Sequence, residues 1–118
     1  MLIGVPSEIK AQESRVGLTP GSVKELTNYG HQVRVQDNAG FAAGFENEDY
    51  EKAGGIISSS GEDIFNRVEM IIKVKEPSTY EVSMLREKQI LFTYFHLVAA
   101  PELTEGLIQS KAICIAYE

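Results

Sequence analysis

Basic residues are scarce in this chain: 11 lysines and arginines stand against 17 aspartates and glutamates, a net charge of −6 over 118 residues. A nucleic acid or an anionic membrane asks for a basic surface, so neither is expected as a partner. A small anion needs only a local cluster and is not excluded. Cysteine is almost absent as well. The single thiol, Cys114, has no internal disulfide partner, and its setting in AICIA predicts buried packing rather than reactivity. Long apolar runs are missing, and nothing approaches the roughly 18 residues of a membrane span. The start, MLIGVPSEIK, lacks both the basic region and the apolar stretch of a secretory signal, so the expected location is cytoplasmic. No dinucleotide fingerprint G-x-G-x-x-G occurs; GFAAG (Gly40 to Gly44) lacks that spacing and reads as a turn. No histidine, cysteine or carboxylate set has metal-ligand spacing, and Ser58, Ser59 and Ser60 lack the context of a nucleophile elbow.

What is present is an alternation of short apolar runs with helix-like segments. LIGV (Leu2 to Val5) reads as a first strand ended by Pro6. Thr19 followed by Pro20 is a helix start, a hydroxyl cap before a proline at the first helical position, and Gly30 is a natural stop. HQVRV, GIIS, EMIIKV (Glu69 to Val74), QILFTY and AICIAY read as further strands. ENEDYEKAGG, GEDIFNR, TYEVSMLRE and PELTEGLIQS read as the helices between them, and DNAGFAAGF as a loop. Strands that are nearly continuous apolar runs, separated by helices, predict an α/β fold. The expectation is a single three-layer domain over residues 1–118, Rossmann-like or flavodoxin-like, with a mainly parallel sheet.

In such a sheet ligands bind beyond the carboxyl ends of the strands. The first strand runs into PSEIKAQESRVGLTP, which carries Glu8, Lys10, Glu13 and Arg15; EMIIKV runs into Lys75 and Glu76; QILFTY runs into His96. Singly, each of Arg15, Lys75 and His96 also fits an ordinary surface or loop role. Jointly they suit one chemistry. Arginine grips a carboxylate with two parallel hydrogen bonds, lysine can polarise a carbonyl or hold a carboxylate, and histidine exchanges protons near neutrality. A small α-keto or α-amino acid is the implied ligand. His31, at the opening of a strand, reads as structural or exposed.

IGVPSEIKAQESRVGLTP, GFENEDYEKAGG, IIKVKEPSTYE and ILFTYFHLVAAPELTEGL together resemble the N-terminal part of the alanine dehydrogenase and nicotinamide nucleotide transhydrogenase family, across essentially the whole chain. Both branches share the RV…TP loop. Lys75 in KVKEP and His96 in FTYFHL favour the dehydrogenase branch. The resemblance implies the substrate domain of an enzyme that uses NAD to interconvert L-alanine with pyruvate and ammonia. It also implies a homo-oligomer whose partners are small molecules. By resemblance Arg15 grips the substrate carboxylate, Lys75 binds the carboxylate or keto oxygen and takes part in catalysis, and His96 is the acid/base as water attacks the iminium or the carbinolamine collapses. The family more often has lysine where Ser7 stands and leucine where Phe95 stands, and neither change touches the three proposed positions.

The family's glycine fingerprint and NAD-binding domain follow in a later segment, absent from these 118 residues. The chain alone is therefore expected to lack dehydrogenase activity, since hydride transfer needs both reactants in one oriented complex. It is also expected to bare apolar surface and self-associate. Two alternatives stay open: a non-catalytic module that binds a small keto or amino acid or serves interaction, and a transhydrogenase-like N-terminal domain.

Overall fold

The computed structural model describes residues 1–97 and 100–118; Val98 and Ala99, inside the motif around His96, lie outside the described residues. Among the described residues six strands and five α-helices alternate: β1 (Leu2–Val5), α1 (Pro20–Asn28), β2 (Gln32–Gln36), α2 (Asn47–Lys52), β3 (Ile56–Ser58), α3 (Gly61–Arg67), β4 (Met70–Ile72), α4 (Thr79–Met84), β5 (Ile90–Thr93), α5 (Pro101–Ser110) and β6 (Ile113–Ala116). A short 3-10 turn, Phe41–Ala43, sits in the loop after β2. Helix starts follow local chemistry. The Thr19 hydroxyl accepts from the Ser22 amide ahead of Pro20, the Ser60 hydroxyl accepts from Asp63, and Ser78 and Glu81 form a reciprocal capping box. Gly30, at φ 91°, takes the left-handed turn that follows α1.

All strand pairings are parallel, in the order β3-β2-β1-β4-β5-β6. This is the doubly wound order of the Rossmann fold, and its direction reverses between β1 and β4. The sheet is covered on two faces. Ile3, Val5, Val33, Val35 and Ile72 pack with Val23 of α1 and Tyr50 of α2. On the other face Ile71 and Leu91 pack with Ile64, Phe65 and Val68 from the α3 side and Leu107 of α5. Gly4 faces α3 so closely that a Cβ there would lie 2.6 Å from Ile64 Cγ2 and 2.7 Å from Val68 Cγ1.

Two expectations need correction. The strands from EMIIKV and QILFTY are shorter than the apolar runs: Lys73 N still donates to Phe92 O, but Tyr94 N reaches past Lys73 to the Val74 carbonyl, so the regular ladder is broken there. Cys114 is exposed, not buried. Its strand is the outer edge of the sheet and every residue of β6 is exposed. Partial shielding still pushes the Cys114 thiol pKa up, which disfavours the reactive thiolate. Ile113 and Ile115 pair with Ile90 and Phe92, so they lie on the face of α1 and α2, yet they are 48% and 42% exposed. No helix among the described residues is long and apolar enough to cross a membrane.

Candidate functional site at the sheet switch point

The loops after β1 and β4 leave the sheet on either side of the switch point, where a doubly wound sheet opens a crevice. Arg15 arrives on the first loop and Lys75 on the second, while His96 follows β5, the next strand over. The β1 loop is pressed onto the end of β4. A Cβ on Gly17 would lie 2.5 Å from the Ile72 carbonyl oxygen, so only glycine admits this approach.

A buried ionic cluster ties the same two strands together. Lys73 is 1% exposed, and its Nζ donates to Glu8 Oε1 at 3.1 Å and lies 3.4 Å from Glu81 Oε2. Glu8 also accepts from the backbone amides of Val74, at 2.9 Å, and Lys75, at 3.1 Å. The Glu8 carboxylate therefore caps the end of β4 and fixes the backbone from which the Lys75 side chain departs. Glu81 spends its other oxygen on the Ser78 amide. Beyond β4 the chain is stitched to β5, since Tyr94 N donates to Val74 O and the Thr93 hydroxyl donates to Lys75 O at 2.8 Å.

Arg15 is 63% exposed, and its guanidinium lies against Glu13 through Nε and Nη2, each 2.9 Å from a carboxylate oxygen. It lines a cleft of about 380 Å³ together with Val74, Tyr94, Tyr117 and Phe45. Phe92, Tyr117 and Tyr94 form an aromatic run, with ring centroids 4.3 and 4.8 Å apart, and the His96 ring stacks on Tyr94 at 6.3 Å. The His96 side chain is 58% exposed, directed away from the core. Its backbone is left-handed, at φ 52°, an unusual state for a residue with a side chain. Glu118 holds it there by accepting from the Phe95 amide at 2.9 Å and the His96 amide at 3.0 Å. Those amides draw the Glu118 carboxyl pKa down.

The three residues thus reach one end of the sheet, but among the described residues no hydrogen bond or ion pair links them. Arg15 alone lines the cleft; Lys75 and His96 follow its wall residues Val74 and Tyr94 along the chain. The charge of Lys75 is felt at Glu13. Burial is the largest single influence on the Glu76 carboxyl and raises its pKa, but the hydrogen bond from Lys10, a backbone hydrogen bond and the charges of Lys10 and His96 together carry the net shift downward. A larger hollow of about 560 Å³ between the starts of α4 and α5 has Lys10 and Glu76 at its wall and none of the three. His31 is half-buried, with Nδ1 3.2 Å from the terminal amine.

Sequence reading assigned no role to Lys73, Glu81, Tyr94, Tyr117 or Glu118. For Lys73 a signal existed: a lysine inside the apolar run MIIKV has to be either exposed or paired. Glu81 carries the S-x-x-E signature of a helix start with Ser78, which does not disclose its bond to Lys73; Tyr94, Tyr117 and Glu118 have no local signature, because their roles depend on which strands become neighbours.

The fold agrees with comparisons to known proteins. The family described as "Alanine dehydrogenase/PNT, N-terminal domain" matches residues 4–118. The alanine dehydrogenase of Halomonas elongata is 49% identical over the whole chain and that of Bacillus subtilis 48%. The chain spans about a third of those relatives, 32% and 31% of their lengths. A solved L-alanine dehydrogenase structure superposes with a TM-score of 0.97 at 50% identity, over 100% of this chain and 32% of that one. A transhydrogenase from Sinorhizobium meliloti superposes with a TM-score of 0.92 at 25% identity, over 98% of this chain and 34% of that one.

Proposed function

The chain belongs to the family of alanine dehydrogenase/PNT N-terminal domains, and from that premise we propose that it is the substrate domain of an NAD-dependent L-alanine dehydrogenase. What supports this reading most is the pairing of Arg15 and Lys75 on the two loops that flank the switch point. The gap between 50% identity to a dehydrogenase structure and 25% to a transhydrogenase favours the dehydrogenase branch.

In this reading the carboxylate of alanine or pyruvate binds the exposed Arg15 guanidinium, with Lys75 binding the carboxylate or the keto oxygen. Two cations at one carboxyl end of a sheet orient an anion and fix its reacting carbon. His96 exchanges protons at the substrate oxygen or with the attacking water, and its exposed ring beside Tyr94 leaves it accessible to both. Its left-handed backbone, held by Glu118, suits a residue set by its surroundings for a task.

The glycine-rich turn Gly40 to Gly44 does not fit the phosphates of NAD. The glycine-rich turn is filled from within: a Cβ on Gly40 would lie 2.7 Å from the Tyr50 ring, so the turn wraps a core tyrosine and cradles no phosphate. No step is therefore assigned through the cofactor here. The substrate domain and its ligands are the part these residues can supply, working in a cytoplasmic homo-oligomer.

The test is alanine-dependent NADH formation by the native full-length polypeptide. Activity with alanine, and its loss in Arg15→Ala and His96→Ala, is expected. A polypeptide that binds pyruvate but never reduces NAD would instead identify a non-catalytic binding module. The 118 residues by themselves are expected to give no turnover.

A further inference from the structure

Glu13 stands two residues before Arg15, and nothing in the reading above gives it a task. Its carboxylate accepts three hydrogen bonds from that one residue: from the Arg15 backbone amide at 2.8 Å, from Nε at 2.9 Å and from Nη2 at 2.9 Å. The two partners differ sharply in exposure. The Glu13 side chain is 6% exposed and the Arg15 side chain 63%. The shielded carboxylate is the anchor, and the guanidinium is the part held out to solvent.

A guanidinium offers two flat donor edges, one formed by Nε with one Nη and the other by the two Nη atoms. Glu13 occupies the first. The second presents one N–H of Nη1 and one of Nη2, and among the described residues no protein acceptor meets them. That edge has the spacing of a carboxylate's two oxygens. Arg15 lines the cleft walled by Val74, Tyr94 and Tyr117. A free arginine side chain would have to surrender several rotatable bonds when it grips a ligand, and a clamped one has already lost them.

We propose that Glu13 is a positioning residue: it holds Arg15 by the Nε edge so that the end-on edge is preset for the carboxylate of a small keto or amino acid. This rests on the reading of Arg15 as the carboxylate-binding residue. Glu13 then acts on binding and leaves the proton chemistry at His96 alone. The opposite arrangement would make Glu13 a plug, an internal carboxylate that the substrate must displace.

The experiment uses the native full-length polypeptide with pyruvate as the probe. Equilibrium binding of pyruvate and steady-state kinetics are measured for the wild type, Glu13→Gln, Glu13→Asp and Arg15→Ala, with circular dichroism to confirm folding. Glu13→Gln should raise the Kd and KM for pyruvate at least tenfold while kcat changes less than threefold, and Glu13→Asp should recover part of the loss. A variant that merely lost folded protein would lower the amplitude and the apparent kcat at unchanged KM, which would count against positioning. Tighter binding in Glu13→Gln would identify the plug and overturn the proposal; so would an unchanged Kd. Arg15→Ala separates the two levels. If it leaves pyruvate binding intact, the carboxylate reading of Arg15 fails. If it weakens binding while Glu13→Gln does not, only the role of Glu13 fails.

Discussion

Glu13 holds its proton far less readily than an ordinary carboxyl: the hydrogen bond from the Arg15 side chain brings its pKa from 4.5 to about 2. The unfolded chain lacks that partner and binds the proton first. The stability gained from the pair is therefore complete above pH 4.5, falls as the pH drops and is gone below about 2. Urea unfolding of wild type and Glu13→Gln should accordingly differ at pH 6 and converge near pH 2; a constant gap would contradict the assignment. His96 carries the second prediction at this scale. Replacing it with asparagine should lower kcat by about 10² to 10⁴-fold, the usual worth of a positioned acid/base, with little change in KM for pyruvate in steady-state assays. The placement of Arg15, Lys75 and His96 at one end of the sheet was legible because each lies in the segment after an apolar run whose strand character is plain. The role of Glu13 was not, since an Glu-x-Arg spacing in a polar loop reads the same whether or not the carboxylate is shielded.

At the scale of elements, the ends of β1 and β4 are locked by Glu8, Lys73 and Glu81, three side chains each no more than 5% exposed. Removing one member of a buried ionic cluster strands the others, so Lys73→Ala should cost about 3–5 kcal/mol in urea unfolding. Replacing all three together by apolar residues should cost clearly less. Gly17 is the second element-level control. Alanine there would push against the Ile72 carbonyl oxygen, shifting the loop that carries Arg15. Gly17→Ala should therefore weaken pyruvate binding by more than it lowers the melting temperature would suggest, checked by calorimetric titration beside thermal unfolding. Helix α3 was legible to the residue, because Ser60, Glu62 and Asp63 state its start and the apolar pair Ile64 and Phe65 its buried face. The length of β4 was not. The run EMIIKV continues past the strand, and only the carboxylates of Glu8 and Glu81, distant in sequence, explain why Lys73 turns inward.

For the molecule as a whole, the parallel α/β class followed from alternation of apolar runs and capped helices, but strand order did not. Order depends on non-local pairing, and with it went the fate of Cys114: the pattern AICIA is the same for a central strand as for the exposed edge that β6 forms. Ile113, Ile115 and Tyr117, each more than 40% exposed, leave an apolar stripe on that edge. The purified 118-residue polypeptide should self-associate with rising concentration in sedimentation equilibrium, and a strict monomer would contradict this. At the carboxyl end of the same sheet, strand order brings the loops of Arg15 and Lys75 to either side of the switch point, and the substrate is expected there. A crystal structure of the native full-length polypeptide with bound pyruvate tests it most directly. The carboxylate is expected on the Nη edge of Arg15, within reach of Lys75, with the keto group toward His96. Pyruvate bound elsewhere, with Arg15 still contacting only Glu13, would contradict it.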